Sequence, residues 1–192
     1  MPYTLPPTMN DDEVAYFESF LPGLPKKTKL VEWGSGGSTT MFLEHLKPRQ
    51  KLISIEHNKE WFDKVSDSLR EHPKRDQLTY IYVAPKPNPH FRGTDPVNFW
   101  GYGHPYEENP AYLEEYVDPE LAVDGLQIFD ADFFLVDGIA RGACLASLRV
   151  RARKSAVIFL HDYTSRETWY DWAVDLYPGK QLVGSSLCKL LM

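Results

Sequence analysis

Short apolar segments alternate with segments of helical periodicity along most of this chain, and this alternation constrains the fold more than any other feature. Strands that alternate with helices form a mostly parallel sheet, because each parallel connection needs a crossover long enough to hold a helix. Helices then cover both faces of the sheet, so its strands are continuously apolar. The sequence therefore predicts an α/β fold, with a doubly wound, mostly parallel, Rossmann-like sheet and helices on both faces.

Five strands and five helices follow from the pattern. The predicted strands are 29–33, 51–56, 78–83, 131–136 and 156–160. One helix is capped by Asn10, with Glu13 at capping-box spacing, and others cover 38–46, follow Asn58 and cover 142–153. The last begins at Thr164, with Trp169, Trp172, Ala173 and Leu176 on its buried face. The tail 181–192 predicts a final strand or hairpin that turns at 184–186.

A length of 192 residues predicts one domain over 1–192, since domains have about 150 residues. We expect residues 1–27 to form an N-terminal helical segment that precedes the sheet. Residues 85–120 interrupt the alternation with many prolines and aromatic residues. A segment of this kind inside a compact domain is usually a lid or a binding segment, so we predict a substrate or lid insertion after the third strand, or the interface of a homo-oligomer.

Composition excludes several classes of protein. The net charge is −6, and no apolar run approaches the ~20 residues of a membrane span, so we expect neither nucleic-acid binding nor a membrane span. Residues 1–10 lack the basic and apolar regions of a secretory signal. Cys144 and Cys188 have the spacing of neither a disulfide framework nor a metal pair. These features predict a cytoplasmic protein.

A glycine-rich turn with the sequence EWGSGGST follows the first predicted strand at 32–39. Glycine lets the backbone turn sharply and approach a ligand, and the helix that follows presents unpaired N–H groups to an anion. Glu56 ends the second strand twenty residues after Gly36, where a carboxylate can accept both hydroxyls of a ribose. The arrangement predicts a cofactor that contains a nucleoside.

The pattern E-x-G-x-G-x-S in this turn resembles motif I of the class I S-adenosylmethionine-dependent methyltransferases. The resemblance implies that the turn holds the methionine end of S-adenosylmethionine and that Glu56 holds its ribose. The cofactor-binding residues so implied are Glu32, Gly34, Ser35, Gly36, Ser38, Glu56 and Asp137. A nicotinamide-dependent oxidoreductase is the alternative, although its G-x-G-x-x-G motif wants Gly or Ala where this chain has Thr39.

Titratable residues directly follow two later strands. Asp137 follows the fourth predicted strand, and His161 and Asp162 follow the fifth. Because the carboxyl ends of parallel strands meet at one edge, we expect these three side chains beside the glycine turn. We predict them as the catalytic residues, with His161 as general base and an aspartate orienting its ring.

The stretch 132–163 resembles the C-terminal half of sugar and other small-molecule O-methyltransferases, in particular the plant polysaccharide 4-O-methyltransferase-like and macrolide-sugar groups. In metal-dependent O-methyltransferases of the catechol type, side chains at these strand ends hold Mg²⁺, which implies Asp137, His161 and Asp162 as ligands of Mg²⁺ or another divalent ion. His161 departs from that family's carboxylate, and Mg²⁺ prefers oxygen ligands. A metal-bound site and a metal-free site therefore both stay open.

The insertion suggests the substrate class. Between Pro85 and Glu120 acidic residues outnumber basic ones, which disfavours a phosphorylated substrate, and aromatic faces favour a neutral ring. We predict substrate contacts at Trp100, Tyr102, His104, Arg141 and Arg166. The sequence thus predicts an S-adenosylmethionine-dependent O-methyltransferase that acts on a hydroxyl of a small molecule, sugar or glycan. A methyltransferase-like interaction module without activity is the non-enzymatic alternative.

Overall fold

The protein is described by a computed structural model that covers residues 4–86 and 113–192. The predicted substrate residues Trp100, Tyr102 and His104 lie outside these ranges, as does most of the predicted insertion. Within the described ranges, no helix is long and apolar enough to cross a membrane.

A seven-stranded sheet organises the described residues in the spatial order β3-β2-β1-β4-β5-β7-β6. Five strands run parallel, and β7 pairs antiparallel with both β5 and β6. The strands are β1 Lys29–Trp33, β2 Lys51–Glu56, β3 Leu78–Tyr82, β4 Phe133–Val136, β5 Val157–Leu160, β6 Gly179–Val183 and β7 Leu187–Leu191. The structure confirms the predicted α/β class and all five parallel strands, and it resolves the tail into a hairpin.

Six helices of the described residues complete the fold: α1 Asp11–Phe20, α2 Gly37–His45, α3 Lys59–Ser68, α4 Glu114–Val117, α5 Arg141–Arg151 and α6 Glu167–Val174. Half of the predicted capping box at the start of α1 is present: Glu13 Oε2 accepts the Asn10 backbone N–H at 3.0 Å, but the Asn10 side chain donates to Glu13 and does not cap the helix. The side chain of Asn58 caps α3 by accepting the Trp61 N–H at 2.9 Å.

The sheet is buried on both faces because its strands are apolar at successive positions. On one face, Phe17 of α1 packs edge-on against the rings of Phe42, Phe133 and Phe159, with centroids 5.2–6.1 Å apart. On the other face, Trp33 and Val136 pack in one cluster with residues of α4, α5 and α6. Because both faces of the sheet are covered, a ligand-binding site is expected at the ends of the strands.

The predicted start of α6 is wrong, and of the four residues predicted on its buried face only Ala173 is buried. The helix begins at Glu167, and the Thr164 hydroxyl donates to the Ser185 carbonyl at 2.9 Å, so it does not cap α6. Trp169, Trp172 and Leu176 are exposed. The buried residues are Tyr170, Ala173 and Val174, which form a neighbouring stripe of the same helical spacing. Two adjacent stripes of this helix are apolar, and hydrophobic periodicity alone does not choose between them.

Replacing Phe17 with alanine tests the packing of α1. The side chain is fully buried among aromatic rings, so Phe17→Ala should lower the free energy of unfolding by about 3–5 kcal/mol through lost contacts and a residual cavity. Val150→Ala is the control, since Val150 is 84% exposed on α5 and its truncation should change stability by less than about 0.5 kcal/mol. Urea denaturation measures both, and equal losses would contradict the assigned packing of α1.

Candidate active site

The glycine turn lies between the ends of β1 and β4. Gly34 has φ +88°, a backbone conformation that side chains disfavour, and a Cβ there would lie 2.7 Å from the backbone nitrogen of Gly138. Gly36, with φ +152°, is the N-cap of α2. Glycine at 34 is therefore required by the close approach of two backbones at the strand ends.

Glu32 lies beneath this turn and is fully buried. Its carboxylate accepts the hydroxyls of Ser38, at 2.9 Å, and Thr39, and the Thr39 hydroxyl accepts the Gly36 N–H at 2.9 Å. Burial raises the pKa of Glu32 to about 7, although the hydroxyl hydrogen bonds act in the opposite direction. Of the residues predicted to bind cofactor, Glu32 and Ser38 thus hold the turn in shape from within the protein.

Glu56 and Ser35 face each other across the turn. Glu56 Oε2 accepts the Ser35 N–H at 3.0 Å and the Ser35 hydroxyl at 2.8 Å, and Oε1 accepts the backbone N–H groups of His57 and Asn58. Burial opposes the charged carboxylate, but the hydrogen bond and charge of His57 and the backbone N–H groups outweigh it, so the pKa of Glu56 is lowered. A carboxylate that stays ionised therefore lies directly beside the glycine turn, as the sequence predicts.

Two contacts of the turn have no sequence signal. The Trp61 indole donates to the Ser35 carbonyl at 2.7 Å, and its ring lies 3.4 Å from where a Cβ of Gly36 would be. The carbonyl oxygen of Pro6 would lie 2.2 Å from a Cβ on Gly37, so the N-terminal segment packs directly on the start of α2. Both contacts join parts of the chain that only tertiary folding brings together.

Asp137, His161 and Asp162 meet at the same edge of the sheet, because β4 and β5 are parallel neighbours. His161 Nδ1 lies 2.8 Å from Asp137 Oδ1 and 3.7 Å from Asp162 Oδ1. The ring of His161 is buried, whereas Asp162 is the most exposed of the three side chains. Asp162 has φ +57°, a strained conformation of the kind that clusters at functional sites.

Arg141 is a buried member of this cluster. Its guanidinium donates to the carbonyls of Gly138, at 2.8 Å, and His161, at 2.6 Å. It also forms ion pairs of 3.3 Å with both Asp137 and Asp162. The sequence predicts Arg141 as a substrate contact, but in the structure its guanidinium is bound to these protein groups. Arg166 lies more exposed, 3.6 Å from Asp162.

Glu13 is the residue that sequence analysis missed. It is fully buried, and its Oε2 lies 3.2 Å from His161 Nε2, while Oε1 accepts the backbone N–H and the hydroxyl of Ser186, each at 2.7 Å. Sequence spacing identified Glu13 as a capping residue only. No local pattern links it to a histidine 148 positions away.

The surroundings of His161 favour its charged form. Burial lowers the pKa of the imidazole, but the hydrogen bond and charge of Asp137 and the charge of Asp162 outweigh burial and the repulsion of Arg141, so the pKa is raised. The pKa of Asp162 is lowered, because His161, Arg141 and Arg166 outweigh its partial burial. The cluster is a set of paired charges and not a group of isolated ones.

The donor set does not fit a divalent metal ion. Asp137, His161 and Asp162 lie within 4.8 Å of one another, which is close enough for a shared ion. The Arg141 guanidinium contacts both carboxylates, however, and His161 Nδ1 is hydrogen-bonded to Asp137. The cation that these carboxylates need is therefore supplied by the protein, and Mg²⁺ in particular disfavours the imidazole ligand.

Comparison with known proteins places the fold. No protein-family model and no curated protein sequence matches the chain. Among solved structures, a methyltransferase-like protein from Silicibacter pomeroyi has a TM-score of 0.71 at 20% identity, over 97% of this chain and 88% of that one. An O-methyltransferase from Bacillus cereus in complex with SAH has a TM-score of 0.62 at 9% identity, over 97% and 84% of the two chains. An O-methyltransferase of tomaymycin synthesis from Streptomyces achromogenes, in complex with SAM, has a TM-score of 0.59 at 10% identity, over 96% and 82%. The chain therefore has the Rossmann-like methyltransferase fold.

The raised pKa of Glu32 predicts a pH dependence of stability. A proton binds more tightly to the folded protein than to the unfolded chain, so this contribution to stability is present at low pH and is lost as pH rises from about 4.5 through about 7. Between pH 5 and 8, wild type should lose about 1–3 kcal/mol of unfolding free energy relative to Glu32→Gln. Glu60→Gln, at an exposed position of α3, should keep the wild-type slope. Equal slopes for Glu32→Gln and wild type in urea titrations would contradict the assignment.

Proposed function

We propose that this protein is an O-methyltransferase that moves the methyl group of S-adenosylmethionine to a hydroxyl oxygen. One observation carries the proposal. The glycine turn, the ionised Glu56 and the Asp137–His161–Asp162 cluster lie at the carboxyl edge of the same parallel sheet, on both sides of the β1–β4 pair, from which the chain continues in opposite directions. Ligands of open α/β sheets bind at such switch points.

The residues beside the turn fit the parts of this cofactor. The N-terminus of α2 offers backbone N–H groups to a carboxylate, and Glu56 is an acceptor for ribose hydroxyls. Ser35 already donates two hydrogen bonds to Glu56, and its hydroxyl also lies 2.7 Å from the Tyr80 hydroxyl. A ribose hydroxyl that replaces the Ser35 hydroxyl at Glu56 leaves Ser35 its contact with Tyr80. We assign Glu56 and Ser35 to the ribose end and Gly34 and Gly36 to the methionine end.

The topology disfavours the nicotinamide alternative. A dinucleotide-binding sheet has the order 3-2-1-4-5-6, whereas here an antiparallel β7 lies between β5 and β6. Thr39 occupies the third position of a dinucleotide motif, and its hydroxyl is bound to Glu32 and Gly36. A glycine at that position would remove both contacts.

The cluster supplies the proton chemistry of the transfer. S-adenosylmethionine supplies an electrophilic methyl group on a sulfonium, and the acceptor oxygen must lose its proton as the new O–CH₃ bond forms and the S–CH₃ bond breaks. His161 Nδ1 faces Asp137 and Asp162, so a proton taken up there is stabilised by both carboxylates. Arg141 holds the two aspartates in position through its ion pairs.

We further propose a sugar or glycan as the acceptor. The support is the composition of 85–120, which is rich in aromatic and acidic residues, and Arg166 at the exposed side of Asp162. Trp100, Tyr102 and His104 are the candidate contacts of the acceptor ring. Neutral hydroxylated rings suit such a segment better than phosphorylated metabolites do.

Replacing Glu56 tests the cofactor site. Glu56→Ala should weaken binding of S-adenosylmethionine by about 1–3 kcal/mol, because hydrogen bonds to an ionised acceptor are lost. Asp63→Ala, at an exposed acid of α3, should leave the affinity unchanged. Isothermal titration of both variants, with NAD as a competing candidate for wild type, measures this. Tight binding of NAD alone, or wild-type affinity in Glu56→Ala, would overturn the assignment.

The pH profile tests His161 as the base. The neutral ring must accept the proton and the pKa of His161 is raised, so kcat should rise as pH increases through that pKa. The charged groups that face the ring are Glu13, Asp137, Asp162 and Arg141. His161→Gln should lower kcat on the order of 10²-fold without changing cofactor affinity. A chelator should leave wild-type turnover unchanged. Full activity in His161→Gln, or loss on chelation with recovery on adding a divalent ion, would contradict this mechanism.

A further inference from the structure

We propose that Glu13 is a positioning residue for His161: it contacts Nε2 of the ring from the N-terminal helix and holds the proton there, so that Nδ1, on the side of Asp137 and Asp162, is the nitrogen that takes up a proton. This inference rests on the proposed function, in which His161 is the base. The proposed catalytic site would then consist of the residues that follow β4 and β5 together with Glu13 of α1.

Apart from the His161 ring, whose role depends on its tautomer, every described group that contacts the Glu13 carboxylate is a donor. Oε2 accepts the backbone N–H of Asn10 at 3.0 Å and its side-chain amide at 3.3 Å, and it lies 3.2 Å from His161 Nε2. Oε1 accepts the backbone N–H and the hydroxyl of Ser186. A carboxylate with both oxygens accepting suits this environment, whereas a glutamine would turn an NH₂ group toward donors at one of the two positions.

The two nitrogens of His161 face different surroundings. Nε2 faces Glu13, whose side chain has no exposure, and Nδ1 faces Asp137, whose side chain is 18% exposed. Asp137 also shares its charge with Arg141 at 3.3 Å. Among the described contacts of Glu13, His161 is the group that can carry positive charge, so this buried carboxylate gains most by keeping the imidazole proton. In the neutral ring the remaining proton therefore belongs on Nε2.

The same helix is tied to the other half of the cleft. Glu13 joins the start of α1 to the turn between β6 and β7 through Ser186, and the segment before α1 places the Pro6 carbonyl against Gly37 of the cofactor turn. The N-terminal segment thus contacts the proposed cofactor and acceptor sides of the site together. Within this segment, Glu13 acts on the acceptor side, through its contact with His161.

Asp12 provides a matched control on the same helix. Its Oδ2 accepts the Ser185 hydroxyl at 2.8 Å, so it ties α1 to the same β6–β7 turn. Among the described residues its side chain contacts Ser185 and the Glu13 backbone N–H but not His161, so Asp12→Asn weakens the contact of the helix with the turn without altering the histidine.

The first test needs only the wild-type protein. With ¹⁵N-labelled histidine, and the His161 signals identified by their loss in His161→Gln, the spectrum at a pH above the His161 pKa should show Nε2 protonated and Nδ1 unprotonated. A proton on Nδ1 in the neutral ring would overturn the proposal. This readout requires no activity, so it decides the Glu13 contact even if methyl transfer fails. Absence of methyl transfer in wild type would contradict the proposed function alone.

The second test is Glu13→Gln with Asp12→Asn as its control. Glu13→Gln should shift the neutral His161 toward the Nδ1-protonated form and lower kcat on the order of tenfold or more, with KM for the acceptor changed by less than about threefold. Asp12→Asn should keep the wild-type histidine signals and kcat. Folded Glu13→Gln with wild-type signals and kcat would overturn the proposal, as would an equal loss of kcat in Asp12→Asn. If Glu13→Gln does not fold, the wild-type spectrum decides.

Discussion

The close approach of β1 and β4 is the constraint on which the rest of the site depends. Gly34 and Gly138 meet so closely that a Cβ on Gly34 would lie 2.7 Å from the Gly138 nitrogen, and a Cβ on Gly138 would lie 1.8 Å from the Tyr116 hydroxyl. Only glycine fits at this contact, which lies directly beyond the last apolar residues of the two strands. The chain leaves β1 toward β2 and leaves β4 toward β5, in opposite directions, and α/β proteins bind ligands outside the carboxyl ends of the strands at such a point. The contact also places Asp137 next to the glycine turn.

Buried charge is tolerated at this edge because it is paired within a connected network. Isolated buried charges are costly, and burial alone would move the pKa of a carboxylate up and of an imidazole down. Here Arg141 contacts both aspartates, and His161 lies between Asp137 and Glu13. The pKa of His161 is raised in spite of burial, because the hydrogen bond and charge of Asp137 and the charge of Asp162 favour the imidazolium. In the proposed reaction this network holds the base, and Asp137 and Asp162 lie on its more exposed side, whereas Glu13 is fully buried.

The sequence predicts what local pattern and parallel topology determine. Apolar runs located all five parallel strands, and the placement of Asp137 and Asp162 directly after two of them was enough to bring them together. The sequence pattern failed where contacts between side chains of distant segments determine the structure. The pattern could not link Glu13 to His161 or show that Arg141 lies inside the cluster. It also predicted the wrong apolar stripe of α6 as buried, because Trp172 lies over Gly142 and stays exposed while Tyr170 is buried. The order of β6 and β7 likewise depends on a tertiary pairing.

A crystal structure of the protein with S-adenosylhomocysteine bound tests the central claim most directly. The account predicts the adenosine ribose at Glu56 and Ser35, the amino-acid end at the Gly34–Gly36 turn, and the sulfur turned toward Asp137 and His161. The product bound at another place, or a crevice that remains closed by protein atoms at saturating product, would contradict it.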